Sequence, residues 1–356
     1  MNCPSVARRW LLAVALFSVS CMALAYNPFQ DDVSGTPQPS RWPNDSVTYY
    51  VNPTTGTNIS TTGGDTVQQV IDNAFSMWEN TPAPFNNLVL TDLKATDAGT
   101  SNLTAPNAND CQNVIGFTDT NTADFPTGTI AFTEISTVSP AGTTYSCNGQ
   151  QETSVLPSQL VDADIEFNPQ IQFTTSLSPG PNQFVLESVA LHEIGHLLGL
   201  DHSGLADAVM FPFGDTTAAG NRTSLSLDDL LGIAFLYPSP NFAASTGDLS
   251  GTVELAGTGA FAAQVLVVDV STGNVIMDRL TNSDGTFNIL GVPPGNYNLL
   301  VLPLAPNESV GLYTLGDFSG WSCGYGENSE PCCDPTIDRL CSGKLANPTN
   351  YTGKFY

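Results

Sequence analysis

Basic side chains are scarce in this chain. Its 356 residues include only nine lysines and arginines against 34 aspartates and glutamates, which gives a formal net charge of −25 at pH 7. Proteins that bind nucleic acid neutralise its phosphates with clustered lysine and arginine side chains. This shortage argues against nucleic acid as a partner, and the excess of negative charge favours solubility.

Long apolar runs are also lacking, apart from one at the N-terminus. There, Arg8-Arg9 precedes an apolar stretch over residues 10–17, and Ala23-Leu24-Ala25 follows. This order is typical of a secretory signal peptide with an A-x-A cleavage site. No other run approaches the roughly 20 apolar residues of a transmembrane helix, so we predict a signal peptide over residues 1–25, secretion and no transmembrane anchor. Cys21 raises the alternative of a lipid anchor, but the residues before it lack the expected leucine.

Cysteines are even in number once the predicted signal is removed, because cleavage takes away two of the eight. The six that remain are Cys111, Cys147, Cys323, Cys332, Cys333 and Cys341. An even number in an exported chain indicates disulfides. Cys111 and Cys147 flank a predicted strand across two polar loops, so we predict that they pair. The pairing of the other four stays open, with a metal site in this tail as the alternative.

Histidine is rare in this chain, which has three. All three lie in one run of eleven residues, His192-Glu193-Ile194-Gly195-His196-Leu197-Leu198-Gly199-Leu200-Asp201-His202. Residues four apart share one face of a helix, so His192 and His196 present their rings to a common point. Gly199 allows the chain to leave the helix sharply, and His202 can then return as a third nitrogen ligand. Three imidazoles and an open fourth position predict a catalytic zinc site.

Glu193 lies beside the first predicted ligand, where its carboxylate can reach a zinc-bound water and act as a general base. The alternative is a buried amphipathic helix that happens to carry histidines. Gly199 and His202 stand at fixed offsets from the first two histidines, and the chain has no other histidine. These features favour the metal site.

The run fits the H-E-x-x-H-x-x-G-x-x-H pattern, and a methionine follows it, so the sequence resembles the metzincin metallopeptidases. Ser203 directly follows the third histidine, and Met210 stands at the position of the Met-turn; both resemble the matrixin branch. The astacin branch fits less well, because Ser203 and Pro212 stand where it has glutamate and tyrosine. The resemblance implies hydrolysis of peptide bonds, with zinc on the three histidines and Glu193 as the base.

The matrixin resemblance covers residues 41–238 and implies an α+β domain, a twisted mixed sheet with an active-site helix. We predict strands at 47–51, 128–132 and 161–167. We also predict a helix capped by Asp65 with Gln68 and a final helix opened by a capping box from Ser226 to Asp229. The first helix should bury an apolar stripe made of Val67, Val70, Ile71, Ala74, Phe75 and Trp78.

The resemblance also implies where substrate lies. In the family, a strand of the 161–167 type borders the cleft and pairs with extended substrate. A substrate side chain would then enter a pocket beside Met210, Phe211 and Pro212. A structural Ca²⁺ is implied by the resemblance alone, with Asp162, Asp164 and Glu166 as weak candidates. A second zinc built on histidines is excluded, because no further histidine remains.

The C-terminal part has a different pattern. Residues 239–246 have the composition of a linker, and short apolar runs separated by turn residues follow, which predicts an antiparallel sandwich. Residues 247–304 resemble the carboxypeptidase regulatory-like (transthyretin-like) module, and residues 305–356 form a cysteine-rich tail. Since every predicted catalytic residue precedes 238, we expect a fragment ending near Ser245 to keep hydrolysing short peptides.

The sequence therefore predicts a secreted zinc endopeptidase that acts on protein or peptide substrates. One alternative is an accessory or adhesive extracellular protein whose metalloprotease-like domain binds rather than cleaves, with a surface or matrix ligand on the C-terminal module. Another is a metal-binding structural domain without turnover. The intact Glu193 favours the enzyme.

Overall fold

The computed structural model describes residues 28–303, with gaps at 35, 53, 55–56, 81–88, 101–109, 118–124, 126–127, 215, 217–220, 262 and 283, together with residues 354–355. The predicted signal peptide and the four cysteines of the tail lie outside the described residues. Within these ranges, no helix is both long and apolar enough to cross a membrane.

The described residues of the N-terminal part form twelve strands, a 3-10 turn at Pro43–Asp45 and three helices. The strands are β1 (Gln30–Val33), β2 (Thr36–Pro39), β3 (Ser46–Val51), β4 (Ile59–Ser60), β5 (Lys94–Thr100), β6 (Asn113–Gly116), β7 (Ala131–Val138), β8 (Thr144–Cys147), β9 (Gln150–Thr153), β10 (Gln159–Phe167), β11 (Phe173–Thr174) and β12 (Phe184–Val185). The helices are α1 (Val67–Glu79), α2 (Leu186–Leu197) and α3 (Leu227–Leu236).

The central sheet has the strand order β5-β3-β6-β10-β7. Its first four strands are parallel, and β7 pairs antiparallel with β10. One apolar core joins this sheet to α1 and α2. The predicted α+β class with a mixed sheet and a histidine-bearing helix is confirmed, and so is the predicted disulfide between Cys111 and Cys147.

The prediction that strand 161–167 borders the cleft is wrong. This segment belongs to β10, whose backbone pairs with β6 on one side and β7 on the other, so neither edge is available to a substrate. Its alternating acidic and apolar residues suggest a strand with one solvated face, yet all nine of its residues are buried. The edge strand next to β10 is β7, which begins three residues after the predicted start of strand 128–132.

The first helix confirms the predicted stripe but begins one residue later than its predicted cap. Thr66, not Asp65, is the N-cap, and it forms a capping box with Gln69. Thr66 Oγ1 accepts from the Gln69 N–H at 3.2 Å, and Gln69 Oε1 accepts from the Thr66 N–H at 2.9 Å. Five of the six stripe residues are buried and Val67 is half-buried.

Helix α2 is held by aromatic donors from three other parts of the chain. Trp42 Nε1 donates to the Leu197 carbonyl at 2.8 Å, and Trp78 Nε1 donates to the Leu191 carbonyl at 3.1 Å. The hydroxyl of Tyr237, just after α3, donates to the carbonyl of Leu198 at 2.6 Å. Buried carbonyls require such partners, so these bonds fix the helix that carries the first two histidines.

The C-terminal part is all-β after one short helix. The helix is α4 (Pro240–Ser245), and the strands are β13 (Gly247–Thr252), β14 (Glu254–Leu255), β15 (Thr258–Gly259), β16 (Ala263–Asp269), β17 (Val275–Leu280), β18 (Thr286–Val292), β19 (Tyr297–Pro303) and β20 (Lys354–Phe355). One sheet pairs β13 with β18, another has the order β17-β16-β19-β20, and a hairpin joins β14 to β15.

The segment predicted as a linker, 239–246, contains α4 and packs against both parts. The Phe242 ring lies so close to Gly291 of β18 that a side chain at 291 would collide with it. Leu231 and Ala234 of α3 share one apolar core with Phe242 and with residues of β16, β17 and β18. The proline and the asparagine of this segment suggested a linker, but its buried phenylalanine makes it part of a continuous core.

Candidate active site

The three histidines converge at the end of α2. His192 and His196 lie one turn apart on the helix, and Gly199, at φ 103°, turns the chain so that His202 returns toward them. The ring centroids lie 4.7, 4.8 and 5.3 Å apart. Among the described residues, these histidines form the one group of three metal-ligating side chains whose ligand atoms all lie within 4.8 Å of one another.

The geometry fits a tetrahedral zinc ion. The Nε2 atoms of His192 and His196 are 3.1 Å apart, and zinc bonds of about 2.0–2.1 Å place tetrahedral nitrogens about 3.3 Å apart. His192 Nδ1 lies 2.7 Å from the Val209 carbonyl, and His196 Nδ1 lies 2.8 Å from the Leu200 carbonyl. Each Nδ1–H donates to its carbonyl, which leaves the Nε2 lone pair for the metal.

Burial keeps the first two imidazoles neutral. It lowers the pKa of His192 to about 3, with a smaller contribution from the nearby His202. Burial and the two neighbouring histidines also lower the pKa of His196 well below its ordinary value. Because a protonated imidazole cannot bind a cation, neutral rings are the form that a zinc site requires.

Glu193 lies buried beside the triad and contacts the edge strand. Its Oε2 accepts a hydrogen bond at 2.7 Å from the hydroxyl of Thr133 on β7. Burial raises the pKa of Glu193 to about 7, although the Thr133 hydrogen bond lowers it in part. Sequence reasoning missed Thr133, since the two residues are 60 positions apart and only the strand placement brings them together.

The chain beneath the triad forms the predicted Met-turn. The carboxylate of Asp229 on α3 accepts from the Val209 N–H at 2.8 Å and from the Met210 N–H at 3.1 Å. Asp229 also completes the predicted capping box with Ser226, which the structure confirms. The Met210 sulfur packs against Gly195 so closely that any side chain at 195 would collide with it. Sequence reasoning did not single out this glycine.

Two further segments border the site. Phe29 donates its N–H to the Gly199 carbonyl at 2.9 Å, and its ring lies 5.6 Å from that of His196. On the other side, the guanidinium of Arg222 lies 5.1 Å from the centre of the Phe211 ring, and its Nε donates to the Ala206 carbonyl at 2.8 Å. The predicted pocket beside Met210, Phe211 and Pro212 stays a prediction.

The predicted calcium candidates lie away from solvent. Asp162, Asp164 and Glu166 are buried on β10, and Asp164 accepts from the Val114 N–H at 2.7 Å. One of these carboxylates thus holds the backbone of β6. Calcium stays a prediction.

Comparison with known families supports the geometry. Residues 112–238 match the family model of the matrixins. The matched range contains the triad, Glu193 and the Met-turn. This part of the chain is similar in sequence to the matrixins.

Individual relatives match over shorter stretches. Metalloendoproteinase 2-MMP of Arabidopsis thaliana is 41% identical over 101 residues, which are 28% of this chain and 26% of the relative. Metalloendoproteinase 5-MMP of the same plant is 57% identical over 53 residues, 15% of this chain and 14% of the relative. Mouse stromelysin-1 is 38% identical over 84 residues, 24% of this chain and 17% of the relative. The chain spans about a quarter or less of the length of these curated relatives.

Gly195→Ala should disturb the support beneath the site. Its Cβ would collide with the Met210 sulfur and lie 3.1 Å from the Trp78 ring, and overpacking of this kind costs about 1–3 kcal/mol. We expect urea unfolding to show that loss of stability and metal analysis to show less bound zinc. Gly247→Ala, which points into open space, should change neither value. Wild-type stability and zinc content in Gly195→Ala would contradict this account.

Proposed function

We propose that this chain is a zinc-dependent endopeptidase that hydrolyses peptide bonds in protein substrates. The observation that carries the proposal is the convergence of three histidines, two of them held neutral by burial, beside the buried carboxyl group of Glu193. His192, His196 and His202 would hold the metal through nitrogen, and a fourth position would stay open for chemistry. The matrixin match over this range supports the same function.

Glu193 would act as the general base and then as the general acid. Zinc on the three histidines would acidify the attacking water and polarise the scissile carbonyl. The Glu193 carboxylate would take the water's proton and return it to the leaving amine. A pKa of about 7 suits a group that both accepts and donates a proton near neutral pH. The Thr133 hydroxyl would hold the carboxylate in place during both transfers.

Substrate would pair with the edge of β7. An edge strand presents unpaired N–H and C=O groups, which an extended peptide can complete as a further strand. One of the two edge strands of the central sheet is β7, and Thr133 of this strand touches Glu193. A peptide on this edge would therefore pass beside the general base.

We also propose the domain order that the sequence predicts, with one change. The signal peptide over 1–25 would export the chain, and the disulfide between Cys111 and Cys147 suits an oxidising compartment. The short segment 26–40 and the catalytic domain 41–238 follow. Helix α4 replaces the linker. Residues 247–304 would form the carboxypeptidase regulatory-like sandwich, supported by two sheets around one core, with the tail 305–356 after it.

The main test of this function is Glu193→Gln. The amide keeps the volume and an acceptor for Thr133, so we expect about one zinc per chain. Peptide hydrolysis should fall by about 10²–10⁴-fold or more, because the base is gone. Glu187→Gln, six residues earlier on α2, is the matched control and should hydrolyse peptides normally. Loss of zinc from Glu193→Gln, or turnover near that of the wild type, would refute the role of Glu193.

Thr133→Val tests the positioning of the base. A hydrogen bond to a charged group contributes about 1.5–3 kcal/mol, so kcat/KM should fall by about tenfold or more while zinc content stays unchanged. Thr133→Ser keeps the hydroxyl and should retain most of the activity. Equal kcat/KM values for the valine variant and the wild type would mean that Thr133 does not position Glu193.

A further inference from the structure

The C-terminal β unit, residues 247–303, packs directly on the chain that links the third histidine to the Met-turn. This chain is the connecting segment, residues 203–208. Leu205 and Ala208 of the segment are buried in one apolar cluster with Leu266 and Val268 of β16. Two side chains of the connecting segment thus pack in one apolar cluster with the second unit.

A carboxyl group of the second unit contacts the backbone of the connecting segment. Asp278 on β17 lies so close to Gly204 that a side chain at 204 would collide with its Oδ2. Gln264 Nε2 donates to Asp278 Oδ2 at 2.7 Å and to the Gly204 carbonyl at 3.5 Å, so it links the two residues. Asp278 and Gln264 are each only 6% exposed, so these bonds are shielded from water.

A second carboxyl group holds the neighbouring residue from the other side. The hydroxyl of Ser203 donates to Asp228 Oδ2 on α3 at 2.7 Å. Asp228 and Asp278 therefore contact neighbouring residues, Ser203 and Gly204, although one carboxyl group belongs to each unit.

Both carboxyl groups at this junction are buried. Burial, together with Asp278 and Asp229, raises the pKa of Asp228 well above its ordinary value. Burial also raises the pKa of Asp278 to about 6, although the hydrogen bond from Gln264 and the neighbouring Arg279 oppose that rise. Both shifts favour protonated carboxyl groups, which lowers the cost of placing two acidic side chains near each other in a buried place.

The connecting segment is joined to the zinc site at both ends. His202 immediately precedes it. The Ser203 N–H donates to the Met210 carbonyl at 2.8 Å, and the carbonyl of Val209 holds His192 Nδ1 at 2.7 Å. A displacement of Ser203 or Gly204 would therefore reach two of the three histidines.

We propose that Asp278 of the C-terminal β unit is a positioning residue for the zinc site and acts through Gly204 and Asp228 on the connecting segment. The second unit is then part of the working peptidase. This opposes the expectation that a fragment ending near Ser245 keeps its activity, because such a fragment would expose Leu205 and Ala208. The proposal rests on the proposed function in that the triad is taken to hold zinc.

The test compares full-length variants by their zinc dissociation constant, measured by competition with a chromophoric chelator. Asp278→Ala removes the carboxyl group that packs against Gly204 and accepts from Gln264. Its Kd for zinc should rise by roughly tenfold, as for other residues that support metal ligands. Its kcat for a short peptide should fall more than its KM changes. Asp278→Asn keeps the volume and an acceptor oxygen, so it should restore a Kd close to that of the wild type.

Thr281→Val is the matched control for stability alone. Thr281 is fully buried in the same unit, and its hydroxyl bonds to Ala260 and Ala263, outside the connecting segment. This variant should lower the Tm and leave the Kd for zinc unchanged. A wild-type Kd in Asp278→Ala would overturn the proposal. The proposal would also be overturned if Thr281→Val raised the Kd for zinc as much as Asp278→Ala does, at the same loss of Tm.

Two further outcomes are covered. If Asp278→Ala does not fold, Gln264→Met takes its place, because it keeps the volume but removes the donor to Asp278. The Kd of this variant for zinc should rise, and an unchanged Kd would overturn the proposal. If the wild type binds zinc but cleaves no peptide, the proposed function fails, while the comparison of Kd values still decides the role of Asp278. A wild type that binds no zinc contradicts both.

Discussion

Neutral imidazoles with their Nε2 atoms aimed at one point are the constraint on which the rest of this structure depends. The bonds from His192 and His196 to backbone carbonyls fix which nitrogen faces the metal, and burial keeps both rings uncharged. Those carbonyls belong to Val209 and Leu200, at the Met-turn and just after Gly199. The metal site is therefore only as well ordered as the backbone between Leu200 and Met210.

That backbone is supported by residues from three elements, α3, α2 and β17. Asp229 of α3 holds the N–H groups of Val209 and Met210 with the same carboxylate that caps its own helix. Gly195 of α2 leaves room for the Met210 sulfur. Asp278 of β17 contacts Gly204 from the second unit. A zinc site that a short motif specifies is thus stabilised by residues from both parts of the chain.

Local features of the site and fold could be predicted from the sequence, because they depend on residues a few positions apart. The histidine spacing, the turn at Gly199 and the capping box at Ser226 are of this kind. Contacts between distant residues could not be predicted. Thr133 contacts Glu193 because the fold places β7 beside α2, although the two residues are 60 positions apart in the sequence. The alternating acidic and apolar residues of β10 do not show from the sequence whether the strand is central or at an edge of the sheet. The composition of residues 239–246 is that of a linker. Composition does not show that Phe242 packs against Gly291, which lies far along the chain.

The measurement that tests the central claim most directly is casein hydrolysis by the full-length protein before and after removal of metal with a chelator, with bound zinc quantified in parallel. The account predicts that hydrolysis is lost with the metal and returns when about one zinc per chain is restored. The same treatment should fail to restore activity in His202→Ala, which lacks the third ligand. Hydrolysis that persists in metal-free protein, or full activity in His202→Ala, would contradict the account.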